Sequence, residues 1–243
     1  MSSDPVGGSK LVSSIPSRRV RWSAAFRLVP SRYPPISIFE RIADPDDWDL
    51  LYQLEELTNP RLRQEAGQVS LVPTERRVTG PGATIVMAPF THASTKRPTR
   101  FSAGAYGVYY AGHKFETALR EVAYHMGRFY RSTADVPHEE VFRTYKGSID
   151  SIMHDLRKGD WSAFLDPDPA NYRRPQELGR RLREAGSNGI VYPSVRHAKG
   201  ECIAAFWPDV VAIPVPTKHV VLKWNGEAVS EWFDYEAERW IAL

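Results

Sequence analysis

The chain has 243 residues, 42% of them apolar and 25% charged, with 32 Lys+Arg against 29 Asp+Glu and a formal net charge of +3. Such a composition is ordinary for a globular protein, and so small a net charge gives no argument for a nucleic-acid or membrane partner. A single cysteine, Cys202, excludes an internal disulfide framework and a Cys-rich structural zinc site. The basic residues are 24 Arg to 8 Lys, a bias toward the side chain whose planar fork grips phosphate and carboxylate. A high-GC genome enriches Arg in the same way, and composition does not separate the two.

Residues 1–17 are rich in Ser, Gly and Pro and are expected to be mobile. They hold no signal-peptide apolar stretch, and no window reaches the run of about 18 apolar residues that a membrane span needs. The cytoplasm is therefore the expected location. Trp22 to Val29 reads as a short strand ended by Pro30. A helix start follows, with Asp44 as cap, Pro45 at the first helical position, and Asp46 and Asp47 at the positive end. Leu50, Leu51, Leu54 and Leu57 are its apolar stripe, up to Pro60. From Val69 the pattern turns to short β-like runs, of which Ala83–Ala88 and Gly107–Ala111 are the best strand candidates. Phe115, Ala118, Leu119, Val122, Ala123 and Met126 recur at helical spacing and predict the strongest helix of the chain. Val141–Tyr145 reads as a strand, and Gln176–Ala185 as a helix ended by Gly186. Ile190–Tyr192, Ile203–Trp207 and Val210–Val215 read as strands. Asn225-Gly226, between His219–Trp224 and Ala228–Phe233, is a hairpin signal, although the second arm equally suits a terminal helix. Strands and helices mix without a βαβ rhythm, which points to an α+β domain.

No dinucleotide, P-loop, zincin or nucleophile-elbow signature is present. The seven His residues show no metal-ligand spacing, so no metal is expected. Arg173, Arg174, Arg180, Arg181 and Arg183 read as a solvated helix face before they read as a nucleic-acid site, since no aromatic platform is interleaved with them. The informative block runs from Arg100 to His125. At about 100° per residue, Thr117, Glu121 and His125 form a column on the flank of the apolar stripe. That places Glu121 where a cleft wall would stand; an ordinary surface carboxylate paired with an Arg is the plainer alternative. Tyr109 and Tyr110 alternate across a strand, one toward the core and one away. Ser194 and Arg196 follow a short apolar strand, a place used for ligands and also for plain turns. Arg27, flanked by Phe26 and Leu28, either reaches the surface or turns inward to an anion.

Together these stretches resemble the RES-domain family, the toxin half of bacterial Xre–RES (ParS–ParT-like) toxin–antitoxin pairs. The matching segments are F-R-L around Arg27, R-F-S-x-G at Arg100–Gly104, V-Y-Y-A at Val108–Ala111, E-T-A-x-x-E-V at Glu116–Val122, and G-I-V-Y-P-S-V-R ending at Arg196. The resemblance covers roughly residues 20–215. It implies one domain over 18–243 with an ADP-ribosyltransferase-like split β-sheet core, flanking helices and a helical N-terminal extension at about 30–80. It also implies an NAD⁺-binding cleft, no metal, and a tight complex with an Xre/ParS-like antitoxin, without direct nucleic-acid or membrane binding. Members of the family consume NAD⁺ by hydrolysis, by phosphorolysis or by transferring ADP-ribose to a protein, in one branch phosphoribosyl-pyrophosphate synthetase.

Carried over by position, Arg27, Tyr110, Glu121 and Ser194 match the family's catalytic set. Arg100 lines the same cleft, and Ser102, Tyr109 and Arg196 fall in the same NAD⁺-binding stretches. The chemistry is coherent. A carboxylate beside the ribose stabilises an oxocarbenium-like centre as the nicotinamide bond breaks. Guanidinium forks suit a pyrophosphate, and a tyrosine ring offers a face to nicotinamide. Ser194 would hold the carboxamide or ribose, or orient Glu121. Two other readings stand beside this one: a catalytically silent protein that engages a partner through the cleft, and a nucleic-acid binder using the 173–183 arginines.

Overall fold

The computed structural model describes residues 14–33 and 67–243. The helix expected from Asp44 to Leu57, most of the extension around it, and residues 1–13 lie outside the described residues. Packed chain begins ahead of residue 18: Ile15 is buried, and the Pro16 carbonyl accepts from the Asp155 amide at 2.8 Å.

Strands β1 (Ser17–Pro30), β2 (Tyr109–Gly112), β3 (His138–Asp155), β4 (Gly189–Pro193), β5 (Glu201–Ala205), β6 (Val215–Trp224), β7 (Val229–Asp234) and β8 (Arg239–Ala242) form one sheet in the order β1-β2-β5-β4-β3-β6-β7-β8. Helices α1 (Ala83–Thr91), α2 (Phe115–Ser132) and α3 (Arg173–Glu184) pack against it. An added β1–β3 pairing closes a circuit through β1, β2, β5, β4 and β3, from which β6–β8 extend as a wing. Every pairing is antiparallel except the short β3–β4 contact at His154 and Asp155. Among the described residues, the mixture of one large, mainly antiparallel sheet with three α-helices agrees with the α+β reading.

β1 and β3 are far longer than the short runs read from the sequence, because they zip together from Ser17↔His154 to Pro30↔Phe142. A register shift between Trp22 and Ala25 interrupts the ribbon. Before it, Val20 and Trp22 face the core cluster that also holds Tyr109; after it Ala25 does, while Leu28 turns to the core under α2. An irregularity of one residue reverses which parity faces which side, and so brings Arg27 onto the side of Tyr109.

Two expected strands are corrected. Ala83–Ala88 is not a strand but the start of α1. Its Thr84-Ile85-Val86 run favours β, yet Ala83, Val86, Met87 and Phe90 fall at i, i+3, i+4 and i+7 and are all buried in one cluster. Gly82, at φ 84°, turns the chain into the helix. Val210–Val215 is not a strand either. A 3₁₀ turn covers Pro208–Val210, Val211 makes an isolated bridge to Ile149, and β6 starts only at Val215. Prolines 208, 214 and 216 have no N–H to give a ladder. The Asn225-Gly226 hairpin is present, with a strand as its second arm.

Candidate active site

α2 positions the central carboxylate. Its apolar stripe, Ala118, Leu119 and Ala123 with Val122 and Met126, packs on Leu28, Phe142, Val220 and Trp232. Gly112 at the end of β2 lets the helix start close by, since a Cβ there would stand 2.6 Å from the Ala118 nitrogen. With the stripe fixed, Thr117, Glu121 and His125 fall on one flank, toward the loop after β4 and the edge of a cavity.

That cavity, about 280 Å³, is bounded by β1, β2, α2 and the Pro98–Arg100 segment. Arg27, Arg100, Tyr110 and Glu121 all line it. Leu28, Val122, Met126 and Phe142 make one wall apolar, while His125, Arg128 and Tyr172 stand at the polar side. Glu121 is held from behind. The Ser194 hydroxyl donates to its Oε1 at 2.6 Å, and the Cys202 thiol lies 3.8 Å from the same oxygen. Ser194 in turn accepts from the Arg196 and His197 amides at 3.1 and 3.0 Å. Its hydroxyl is thus engaged on both sides, and it orients Glu121 without lining the cavity. Burial pushes the Cys202 thiol pKa well up, and the Glu121 charge adds to this, so the thiol stays protonated and can only donate to the carboxylate.

Arg27 lies with its guanidinium 4.8 Å from the Tyr109 ring centroid and donates from Nη1 to the Tyr110 carbonyl at 3.0 Å. Burial lowers its pKa, partly offset by Tyr109, and its Nε is buried with no hydrogen-bond partner. Arg100 is more committed: it donates to the Asp166 and Phe164 carbonyls at 2.8 and 3.3 Å and to the Tyr172 hydroxyl at 3.1 Å, with its guanidinium over the Tyr172 ring. Tyr110 turns its ring to the cavity while its hydroxyl bonds Thr99 Oγ1 and accepts from the Phe101 amide.

Of the residues singled out from the sequence, the remaining three do not line the cavity. Tyr109 is buried beneath Arg27, the core-facing member of the tyrosine pair. Ser102 is buried inside its own loop, donating to the Tyr106 carbonyl and accepting from the Gly104 amide. Arg196 stacks on Tyr124 and donates to the Pro167 carbonyl. Arg128, Tyr172 and Cys202 were not singled out. Arg128 follows Glu121 by two helical turns, a spacing that could have found it; nothing local marks Tyr172. In the 173–183 cluster, Arg180 and Arg181 pair with Glu177, and Arg180 also with Glu184, as on the solvated helix face expected, but Arg183 departs from it: its guanidinium turns inward over the Trp207 and Tyr106 rings, 4.0 and 4.8 Å from their centroids. Among the described residues no group of three or more His, Cys, Asp or Glu could hold a metal ion, and no helix is long and apolar enough to cross a membrane.

This constellation is set in a recognised family. The RES domain matches residues 74–225, more than half of the chain, and the chain belongs to the RES domain family. Arg27 lies ahead of the matched residues and reaches the site only through β1. A curated relative, the uncharacterized protein y4oC of Sinorhizobium fredii, is 26% identical over 215 residues, 87% of each chain. Among solved structures the chain is similar to the MbcT–MbcA toxin–antitoxin complex of M. tuberculosis, at 9% identity and a TM-score of 0.45 over 92% of this chain and 94% of that one. So distant a likeness says nothing about the site.

Proposed function

We propose that the chain is an NAD⁺-consuming enzyme that breaks the nicotinamide–ribose bond and transfers ADP-ribose to a protein, acting in the cytoplasm as the toxin of a toxin–antitoxin pair. The observation that carries this reading is Glu121: a carboxylate at a cavity wall, fixed by Ser194 at 2.6 Å, facing a space it shares with Arg27, Arg100 and Tyr110. A carboxylate held in place needs no reorganisation as positive charge develops on the ribose, which is where electrostatic stabilisation is most effective. Its second oxygen is left to meet the ribose.

About 280 Å³ is at or below the ~300–1,000 Å³ of pockets for drug-sized ligands, which suits the nicotinamide–ribose end and not the whole dinucleotide. The pyrophosphate then stays at the polar side, within reach of Arg27 and Arg100. Leu28, Val122 and Phe142 give the bond being broken an apolar wall on one side. Family membership supports the same reading, as does an antitoxin partner for an enzyme that would otherwise exhaust its host's NAD⁺.

Hydrolysis and phosphorolysis differ from protein modification only in which nucleophile reaches the ribose C1′. Mass spectrometry of the products from purified protein and NAD⁺, with and without phosphate and cell lysate, separates them. An ADP-ribosylated protein is the expected product, phosphoribosyl-pyrophosphate synthetase being the first acceptor to examine. Free ADP-ribose or its 1-phosphate as sole product moves the reading to a glycohydrolase or phosphorylase. Intact NAD⁺ in every arm, together with a stable complex with a small antitoxin-like protein, would favour a silent binding protein.

A further inference from the structure

We propose that His125 is the proton acceptor for the nucleophile that attacks the ribose; this rests on the NAD⁺ reading above. Glu121 cannot comfortably fill that role as well. Its Oε1 is occupied by the Ser194 hydroxyl, and its charge is needed opposite the ribose as the glycosidic bond opens. His125 is the next residue along the same flank of α2, lines the same cavity, and brings Nε2 to 3.9 Å from Glu121 Oε2. That separation is too long for a hydrogen bond, yet short enough for one oxygen to lie ~2.8 Å from both atoms. A water or acceptor hydroxyl in that gap is aligned by the carboxylate and faces Nε2 of the ring.

The surroundings keep that nitrogen available. Half of the His125 side chain is exposed at the cavity mouth. The groups facing it are Glu121, Tyr124 and Arg128 from α2, Arg196 from the loop after β4 and Arg100 from the loop before β2. Partial burial, then the guanidiniums of Arg196, Arg128 and Arg100, lower its pKa to about 4, so before substrate binds the ring is neutral at pH 7 and only weakly basic. The incoming anionic pyrophosphate offsets those guanidiniums and makes the imidazole a stronger base once substrate is bound.

The step balances. The C1′–N bond breaks and its electron pair leaves with nicotinamide, which becomes neutral. The nucleophile's oxygen forms the new C1′–O bond, and its proton passes to Nε2 of His125, from which solvent later removes it. The test compares nicotinamide release from NAD⁺ by the wild type and His125→Ala, without and with free imidazole. General-base removal is worth 10²–10⁴-fold; kcat is expected to fall roughly 100-fold with KM for NAD⁺ within about twofold, and imidazole to restore part of the rate. A full-rate variant, a loss in KM alone, or a loss that imidazole does not touch overturns the proposal. A wild-type chain that releases no nicotinamide overturns the NAD⁺ reading itself.

Discussion

Ser194 is the residue whose role the sequence left most open and the structure narrows most. Three hydrogen bonds converge on one hydroxyl, with Glu121 as the acceptor of its proton and two backbone amides behind it. Ser194→Ala removes the bond to Glu121 and leaves two amides seeking an acceptor. Nicotinamide release is expected to fall at least about tenfold in kcat with little change in KM, the mark of an interaction that serves the transition state. Arg27 should behave in the opposite way. Arg27→Gln removes a charge from the cavity lining, so KM for NAD⁺ rises first, by an amount that shrinks with added salt. Both residues were visible as candidates in the sequence. Their division of labour was not, because it depends on which way a side chain points.

At the scale of elements, the flank of α2 acts as a unit with the loop after β4. The Thr117 hydroxyl, fully buried, meets His197 Nδ1 at 2.9 Å, one helical turn from the Ser194–Glu121 bond. Two contacts a turn apart thus clamp the loop to the helix. Thr117→Val keeps the shape and deletes the bond, so kcat is expected to drop several-fold with NAD⁺ affinity retained, and Thr117→Ser to restore it. The column of residues 117, 121 and 125 was legible from 3.6-residue spacing alone, because α2 carries a well-segregated apolar face. α1 was not legible. Its run of β-branched residues favours a strand locally, and only burial of Ala83, Val86, Met87 and Phe90 in a common core makes it helical. α3 shows a further constraint that spacing hides. Gly179 packs on the Arg100 loop so closely that a Cβ would stand 2.2 Å from the Phe101 carbonyl oxygen. Gly179→Ala should therefore lower the denaturation midpoint and displace Arg100 together.

For the molecule as a whole, the long β1–β3 ribbon and the closed circuit of five strands are what bring Arg27, near the start of the chain, to Glu121 and Ser194. Local pattern could not show this, since pairing between distant strands leaves no local signal. The same packing buries tyrosines. Burial pushes the Tyr109 and Tyr110 hydroxyls up to about 12, from an ordinary value of about 10. A raised pKa in the folded state means that the folded chain holds the proton longer. Their contribution is complete below about pH 10 and is lost as pH rises through about 12. The denaturation midpoint should fall across that window. A midpoint that stays level from about pH 10 to about 12 would contradict this burial.

The central claim rests on one carboxylate, and nicotinamide release from NAD⁺ by Glu121→Gln beside the wild type tests it most directly. Gln keeps the shape, and its amide oxygen can still accept from Ser194, while the negative charge is gone. Loss of that stabilisation is expected to lower the rate by roughly 10²–10³-fold, with the variant still folded and still binding NAD⁺. A Glu121→Gln protein that releases nicotinamide at the wild-type rate would contradict the assignment.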